Sequence, residues 1–382
     1  LVSDNKRNAV EQWLNKKTSE HPVEVYISKP DRPVFDVQIG DAPMWGNKEA
    51  KVAVVEFSDF QCPYCSKATS IINELKKKYK GKIKIFNKMS QIITRFAPSP
   101  TGPMHFGSLI TAVASYLDAK HQHGIWKVRI EDLDQPRTVK GSDKTILDTL
   151  HQHGFHWDDE VIYQSHRLDI YQSFLSKLNE KKITYYCECS RKEIADSAIT
   201  GIDGMIYPGT CRNKILDSNH HALRVKVEDL FIEFEDKIQG GIKQNILKEF
   251  GDFILKRSDG IYAYQLAVVI DDALQNINTI IRGSDLIDSS SRQIYLQKIL
   301  SLPKVAYGHV PVATLNQKKL SKENQSMPIN ISNVKDNLIA CLKFLGQDYE
   351  VVRKENTLTN FWATAIQLWD ISLVPKIKTI EI

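Results

Sequence analysis

The order of apolar and polar positions divides the chain into a short first stretch and a long second one. In the first, residues 8–17 have the spacing of a short helix and residues 51–60 read as a strand. A helical pattern then runs through 75–79, and a second strand follows at 82–86. In the second stretch, residues 91–94 form a short apolar run that predicts a buried strand. Residues 109–120 place apolar side chains at 109, 110, 113, 116 and 117, the spacing of one helix face. Residues 124–130 alternate as a strand does, and 144–154 and 166–182 are amphipathic helices. Further on, 252–260 reads as a strand and turn, 278–285 as a strand ending on Arg282, and 291–300 as a helix. Two more helices are expected at 333–345 and 358–369. Strands alternating with helices predict an α/β fold with a doubly wound, Rossmann-type sheet.

The segment from Arg95 to Ser108 joins the first strand of the second stretch to its first helix. Pro98, Pro100 and Pro103 stiffen it, while Gly102 and Gly107 let a ligand approach the backbone. A glycine-bearing loop entering a helix N-terminus suits phosphate, because free N–H groups and the helix dipole both face the anion. His105 stands at that mouth as a hydrogen-bond donor. Far downstream, Lys319, Leu320, Ser321 and Lys322 could bring two ammonium groups to the same phosphates. Glu131 ends the strand 124–130, where ligands of open parallel sheets bind, and is placed to meet an α-ammonium group. Ser142 is a candidate N-cap for the helix that follows.

Arg95-Phe-Ala-Pro-Ser-Pro-Thr-Gly, His105-Phe-Gly-Ser108 and Lys319-Leu-Ser-Lys322 together resemble the nucleotide signatures of class I aminoacyl-tRNA synthetases, in the glutamyl branch. The second and fourth positions of His105-Phe-Gly-Ser108 depart from the usual His-Ile-Gly-His form. The resemblance implies that Pro98, Ser99, Gly102, His105, Gly107, Ser108, Lys319, Leu320, Ser321 and Lys322 bind ATP with Mg2+. It assigns L-glutamate to Arg95, Phe96, Ala97, Pro98, Ser99, Glu131, Tyr264 and Arg282. The chemistry agrees: two arginines, a tyrosine hydroxyl and a carboxylate suit a ligand with two carboxylates and one ammonium. His105 and Lys322 would serve catalysis by neutralising phosphate charge.

The six cysteines do not form the framework of a small secreted disulfide-rich domain. Cys187, Cys189 and Cys211 offer three soft ligands within 25 residues, and structural zinc prefers four. Tyr207 precedes the third, and His220 and His221 follow it. General chemistry favours a histidine as the fourth ligand. The set resembles the glutamyl-queuosine tRNA(Asp) branch of the family, in which two cysteines, a tyrosine and a third cysteine hold one structural Zn2+. That resemblance implies Cys187, Cys189, Tyr207 and Cys211. His151, His153 and His156 lack the cysteines or carboxylates of a second metal set and read as surface or core-edge residues.

Cys62-Pro-Tyr-Cys65 lies between strand and helix in the first stretch. Strand, Cys-x-x-Cys, helix, strand is the thioredoxin arrangement, and a helix N-terminus would make Cys62 the attacking thiolate of a redox pair with Cys65. The surrounding residues resemble the disulfide oxidoreductases of bacterial cell envelopes. The resemblance ends near residue 88, without the later half and cis-proline loop of that family. Residues 1–91 are therefore expected to be a truncated remnant, or a gene-fusion or gene-model artefact. The lysines at 76, 77, 78 and 80 are expected to be solvated.

Charge changes this picture in one respect. Residues 1–91 hold 16 Lys+Arg and 11 Asp+Glu, while the remainder holds 35 of each, so overall charge gives no argument for nucleic acid in the second stretch. No apolar run approaches the roughly 20 residues that span a bilayer.

The expected architecture is a partial thioredoxin-like segment (1–91), a class I catalytic domain (92–325) with a zinc-bearing insertion near 185–215, and a short helical tail (326–382). Only 60 residues follow Lys322, too few for the anticodon-binding region of a conventional glutamyl-tRNA synthetase. The resemblance thus implies activation of L-glutamate by ATP and transfer to queuosine at the wobble position of tRNA(Asp), in the cytoplasm and away from membranes. The alternatives are a shortened synthetase charging a tRNA 3′ end, or a thiol-disulfide oxidoreductase.

Overall fold

The computed structural model describes residues 44–58, 63–89, 91–190, 192–194, 199–201, 204–218, 220–315, 318–319 and 328–382. The helix expected at 8–17, Cys62, and Leu320, Ser321 and Lys322 lie outside them, as do the side chains of Cys65 and Lys319. The chain divides into two units, Leu1–Ser90 and Gln91–Ile382.

In the first unit, Val52–Ser58 pairs in parallel with Ile83–Met89, and the helix Pro63–Lys78 connects them. This is the expected crossover. Met44–Gly46 adds an antiparallel strand, with Trp45 opposite Ile85. Lys76 lies over the Trp45 ring at 5.5 Å, so this lysine packs on an aromatic face instead of being only solvated.

The second unit starts from three parallel strands, Ile93–Phe96, Ile125–Ile130 and Ile162–Tyr163. The apolar stripe predicted at 109–120 belongs to a longer helix, Phe106–His121, in which Leu109, Val113 and Leu117 are buried. A second sheet runs in the order Gly240–Asn245, Phe231–Asp236, Ala306–Val310, Thr279–Gly283. Its first pair is an antiparallel hairpin and the other two pairings are parallel, so the sheet is mixed. Asn278 fastens the two sheets. Its backbone N–H donates to the Ile93 carbonyl (3.0 Å), and its side-chain oxygen accepts from the Ile93 N–H (2.9 Å). A third, antiparallel sheet orders Ile254–Lys256, Ala222–Val225 and Thr184–Cys187.

Beside two small clusters among the described residues, two large apolar cores result. The helices Leu168–Glu180, Tyr264–Leu274 and Ile287–Leu300 build one of them, through Tyr171, Leu175, Leu266, Val268 and Leu296. The other surrounds Phe106–His121 and takes in the C-terminal helices Val334–Phe344 and Leu358–Leu368. Trp126, Phe155, Tyr116 and Trp362 form its aromatic centre, with Tyr116 and Trp362 at 4.9 Å and nearly edge-on.

Three expectations change here. The helix that begins at Ser142 is capped by Gly141, and the Ser142 hydroxyl instead binds the backbone of Gly102. His151 and His156 are exposed as expected, but His153 is completely buried. Its Nδ1 donates to the Thr149 carbonyl and its Nε2 faces the Asn337 amide, which satisfies both ring nitrogens without water. The C-terminal segment is not only helical: Thr379–Glu381 adds in parallel to Val312–Leu315.

Trp362 joins the C-terminal helix to this core, and its indole N–H donates to the His153 carbonyl at 2.9 Å. Trp362→Ala is expected to cost about 3–5 kcal/mol. In urea unfolding this reads as a lower midpoint, whereas a cost under about 1 kcal/mol would show that the helix packs on the core without stabilising it.

Candidate active site

The strand Ile93–Phe96 and the helix Phe106–His121 open onto a cavity of about 770 Å3. The loop between them supplies Pro98, Ser99, Thr101 and His105 to its wall, after Arg95, Phe96 and Ala97 at the strand end. Glu131, Tyr264 and Arg282 line the cavity too, so three residues far apart in sequence meet the phosphate-type loop as expected. Gly107, Ser108 and Thr111 come from the first turns of the helix, and Val312 and Ala313 from the opposite side.

Gly102 plays a different part from the one expected. Its φ is +138°, which favours glycine, and both its N–H and its carbonyl bond to the Ser142 hydroxyl (2.9 and 2.6 Å). It turns the loop and anchors it, and its N–H is already engaged. His105 caps the helix: its Nδ1 accepts from the Ser108 N–H at 3.3 Å. The ring proton therefore sits on Nε2, which meets the Ser108 hydroxyl at 3.1 Å. Both residues of the departing motif line the cavity, and with the His105 ring proton engaged by Ser108 Oγ the hydroxyl proton of Ser108 is the one left to donate. Lys319 is in a short strand opposite Thr314, one residue beyond the cavity-lining Ala313.

Charge is arranged around one carboxylate absent from the sequence-based site. Asp272, in the last turn of Tyr264–Leu274, takes a bidentate pair from Arg95 (2.9 and 3.3 Å) and a further bond from Arg129 Nη2 (2.9 Å). All three side chains are at least 96% buried. Arg129 also reaches Glu131 at 3.2 Å and Gln275 at 2.6 Å. Burial opposes the charge on Arg129, yet Asp272, Glu131 and Asp271 hold it more firmly protonated than a free arginine. Burial likewise pushes Asp272 up, but Arg95 and Arg129 prevail and hold it below the usual aspartate value. For Glu131 burial prevails over Arg129 and Arg95, so its carboxyl titrates above the usual glutamate value. Arg95 is therefore not an uncompensated second cation, because Asp272 shares its charge.

Arg282 is different. Its Nη1 donates to the Tyr264 hydroxyl at 3.3 Å, and no carboxylate lies within ion-pair distance of it among the described residues. It lines the cavity without a carboxylate partner among those residues. Asp272 and Arg129 were missed because each reads as an ordinary residue in its own element. The one signal was a buried charge on an apolar strand, at 129, which demands a partner.

The cysteine set assembles at the end of Thr184–Cys187. The sulfurs of Cys187, Cys189 and Cys211 all lie within 4.8 Å of one another. The Tyr207 hydroxyl is 3.3 Å from Cys187 Sγ and 3.5 Å from Cys189 Sγ, while His221 turns to the Asp217 carbonyl instead. Two contacts hold Tyr207 there. Arg224 stacks on its ring at 3.9 Å, and its backbone lies against Gly251, where an added Cβ would come within 2.9 Å of the Tyr207 carbonyl. Four convergent donors of this type fit a tetrahedral Zn2+.

A glycine-bearing loop whose His105 caps the following helix, a downstream lysine strand, and one parallel and one mixed sheet around one cleft are the arrangement of an α/β domain of the class I synthetase type. Comparison places it further. The family described as tRNA synthetases class I (E and Q), catalytic domain, matches residues 91–345, and the chain belongs to that family. Glutamyl-Q tRNA(Asp) synthetase of Dechloromonas aromatica is 46% identical over 286 residues, 74% of this chain and 95% of that one. Its counterpart in Pseudomonas syringae pv. syringae is 43% identical over 295 residues, 77% and 98%. The glutamate tRNA ligase of Elizabethkingia meningosepticum shares the fold, with a TM-score of 0.62 at 22% identity over 76% of this chain and 67% of that one. The glutamate-tRNA synthetase of Elizabethkingia anophelis does so at 0.63 and 22%, over 77% and 68%. A thioredoxin family matches residues 39–114, which extends past the residue 88 expected from the sequence and into the loop and helix of the second unit.

Asp272→Asn leaves two buried guanidinium groups without their shared counter-charge, at an expected cost of about 3–5 kcal/mol. The folded-state carboxyl titrates below its unfolded value, so this stability is present above the unfolded value and is lost as pH falls through the folded one. The gap between wild type and variant in urea unfolding should stay constant above about pH 5 and narrow below about pH 4. A gap independent of pH would mean that the charge of Asp272 is not what stabilises.

Proposed function

We propose that the second unit activates L-glutamate with ATP and passes it to queuosine in tRNA(Asp). The observation that carries this reading is the pairing of Arg282 and Tyr264 with Glu131 across one cavity. An unneutralised guanidinium and a hydroxyl suit the side-chain carboxylate, and a buried carboxylate suits the α-ammonium. The names of the relatives supply the RNA substrate. The domain division is 1–91, a catalytic domain 92–325 and a tail 326–382.

The glutamate α-carboxylate attacks the α-phosphate of ATP, the bond to the β-phosphate breaks, and glutamyl-adenylate and pyrophosphate result. Glutamate then passes from the adenylate to the tRNA, and AMP leaves. No side chain has to form a covalent intermediate, so rate comes from in-line placement and from charge stabilisation. At the helix mouth the Ser108 hydroxyl, oriented by His105 Nε2, supplies a donor. Lys322 and Lys319 would supply positive charge to the leaving pyrophosphate, with Mg2+ accompanying the phosphates. Arg95, held by Asp272, shapes the loop side of the glutamate site. Cys187, Cys189, Tyr207 and Cys211 hold a structural Zn2+ that ties the insertion together. ATP and tRNA as substrates suit the cytoplasm, and no helix among the described residues is long and apolar enough to cross a membrane.

Glutamate-dependent ATP–pyrophosphate exchange without tRNA is expected, followed by transfer to queuosine-containing tRNA(Asp) and not to the unmodified form. Lys322→Ala should keep the glutamate KM and slow exchange about 100-fold. Exchange that requires tRNA, with glutamate landing on a 3′ end, would replace this reading with a tRNA-charging one.

Purified protein should carry about one zinc per chain, as metal analysis would show. Cys211→Ser should lose it, and His220→Ala with His221→Ala should retain it. Zinc that survives the cysteine change would remove this set as the metal site.

A further inference from the structure

Arg282 ends one strand of the second sheet, and its register partner on the neighbouring parallel strand is His309. Paired residues in register share a face, so the imidazole lies beside the guanidinium and away from solvent. His309 and Asp236 are both completely buried. The His309 Nδ1 sits 2.6 Å from Asp236 Oδ2. An ionised carboxylate can only accept, so Nδ1 carries the ring proton and Nε2 presents a lone pair. That lone pair faces two groups at 3.1 Å, the Nε of Arg282 and the hydroxyl of Ser290. The Nε of arginine can only donate, so the tautomer set by Asp236 is the one this contact requires.

Asp236 is itself held. Its other oxygen accepts the backbone N–H groups of Ile238 (3.0 Å), Gln239 (2.9 Å) and His309 (3.1 Å). From the far side, Arg282 Nη2 donates to Ser290 Oγ at 2.7 Å. The Tyr307 ring stacks nearly parallel to the imidazole and lies under the guanidinium. The rear edge of Arg282 is thereby occupied, and its Nη1 edge is turned to Tyr264 and the cavity.

We infer that Asp236 and His309 are positioning residues for Arg282: a neutral imidazole fixes the direction of the guanidinium without cancelling its charge. This rests on the reading of Arg282 as the group that meets the anionic end of glutamate. The contrast with Asp272 gives the physical reason. A carboxylate behind Arg95 holds it equally well but also neutralises it. An imidazole acceptor leaves the full charge for the ligand, which favours an anionic side chain over its neutral amide analogue. The surrounding charges agree with a neutral ring. Burial lowers the His309 pKa and Arg282 lowers it further, against the pull of Asp236 and Asp285.

His309→Asn and His309→Gln separate positioning from packing. Asparagine can keep the donor toward Asp236 but cannot reach Arg282, whereas glutamine can place its carbonyl oxygen where Nε2 stood. In ATP–pyrophosphate exchange, His309→Asn should raise the glutamate KM about tenfold or more, with the ATP KM within about twofold, and His309→Gln should restore most of the loss. Thermal unfolding of both variants controls for misfolding. A glutamate KM unchanged in His309→Asn, or glutamate and ATP KM raised alike in both variants, would overturn the proposal. Nitrogen-15 NMR of labelled histidines, with His309 assigned by its absence in His309→Gln, gives a readout independent of activity. The Nδ1–H tautomer at pH 7 is expected, and an Nε2–H tautomer or an imidazolium would overturn the proposal. Wild-type protein without glutamate-dependent exchange would instead overturn the functional reading, and the tautomer would then decide the dyad by itself.

Discussion

The grip of Asp272 on Arg95 and Arg129 is the constraint on which the cavity depends. Arg95 ends the first strand of the second unit, Arg129 lies on the second, and Asp272 belongs to a helix of the other core. One carboxylate thus ties the strand ends that carry the phosphate-type loop and Glu131 to the helix that carries Tyr264. Charges this deeply buried are costly unless paired, so the pairing also sets the distance between these elements. The loop leaves the strand at Arg95 and is fastened again at Gly102 by Ser142, which gives His105 a fixed approach to the helix it caps.

Two arginines of the cavity are treated in opposite ways, and that difference divides the site. Arg95 is neutralised and structural in character. Arg282 is braced by neutral acceptors, the imidazole of His309, the hydroxyls of Ser290 and Tyr264 and the carbonyl of Leu286, and keeps its charge. At the other side Glu131 lines the cavity while pairing with Arg129 behind it. Arg282 and Tyr264 at one side of the cavity and Glu131 at another thus differ in charge, with His105 and Ser108 at the helix mouth between them.

The cysteine set is a separate fastening. It closes one end of an antiparallel sheet whose Leu223, Val225 and Leu255 belong to a larger core, and it sits in a small apolar cluster of Tyr185, Cys187, Tyr207 and Cys211. A small cluster of this kind has little apolar surface to bury, and the Tyr207 hydroxyl adds polar contacts to Cys187, Cys189 and the Cys211 N–H. Among its described residues the first unit has a three-stranded sheet and one helix.

Local pattern was enough for much of this. Helix spacing at 109–120, alternation at 124–130 and the proline-glycine loop are short-range signals, and each became the element or turn it announced. The cavity lining by Arg95, His105, Glu131, Tyr264 and Arg282 was legible through motif resemblance, because the loop and the strand ends carry those residues at characteristic spacings. The parts that escaped were partnerships over long separations. Nothing near Asp272 announces two arginines 143 and 177 residues away, and nothing near His309 announces Asp236. Ser142 looks like a helix cap until its hydroxyl is seen on Gly102, and Tyr207 competes with two histidines until Gly251 and Arg224 bring its ring to the sulfurs. Sequence by itself determined the elements, the anion loop and the residue types of the site, since those follow from periodicity and local backbone chemistry. Tertiary structure alone decided which charges are neutralised and which are left for a ligand, because pairing of buried charges depends on where distant strands and helices meet.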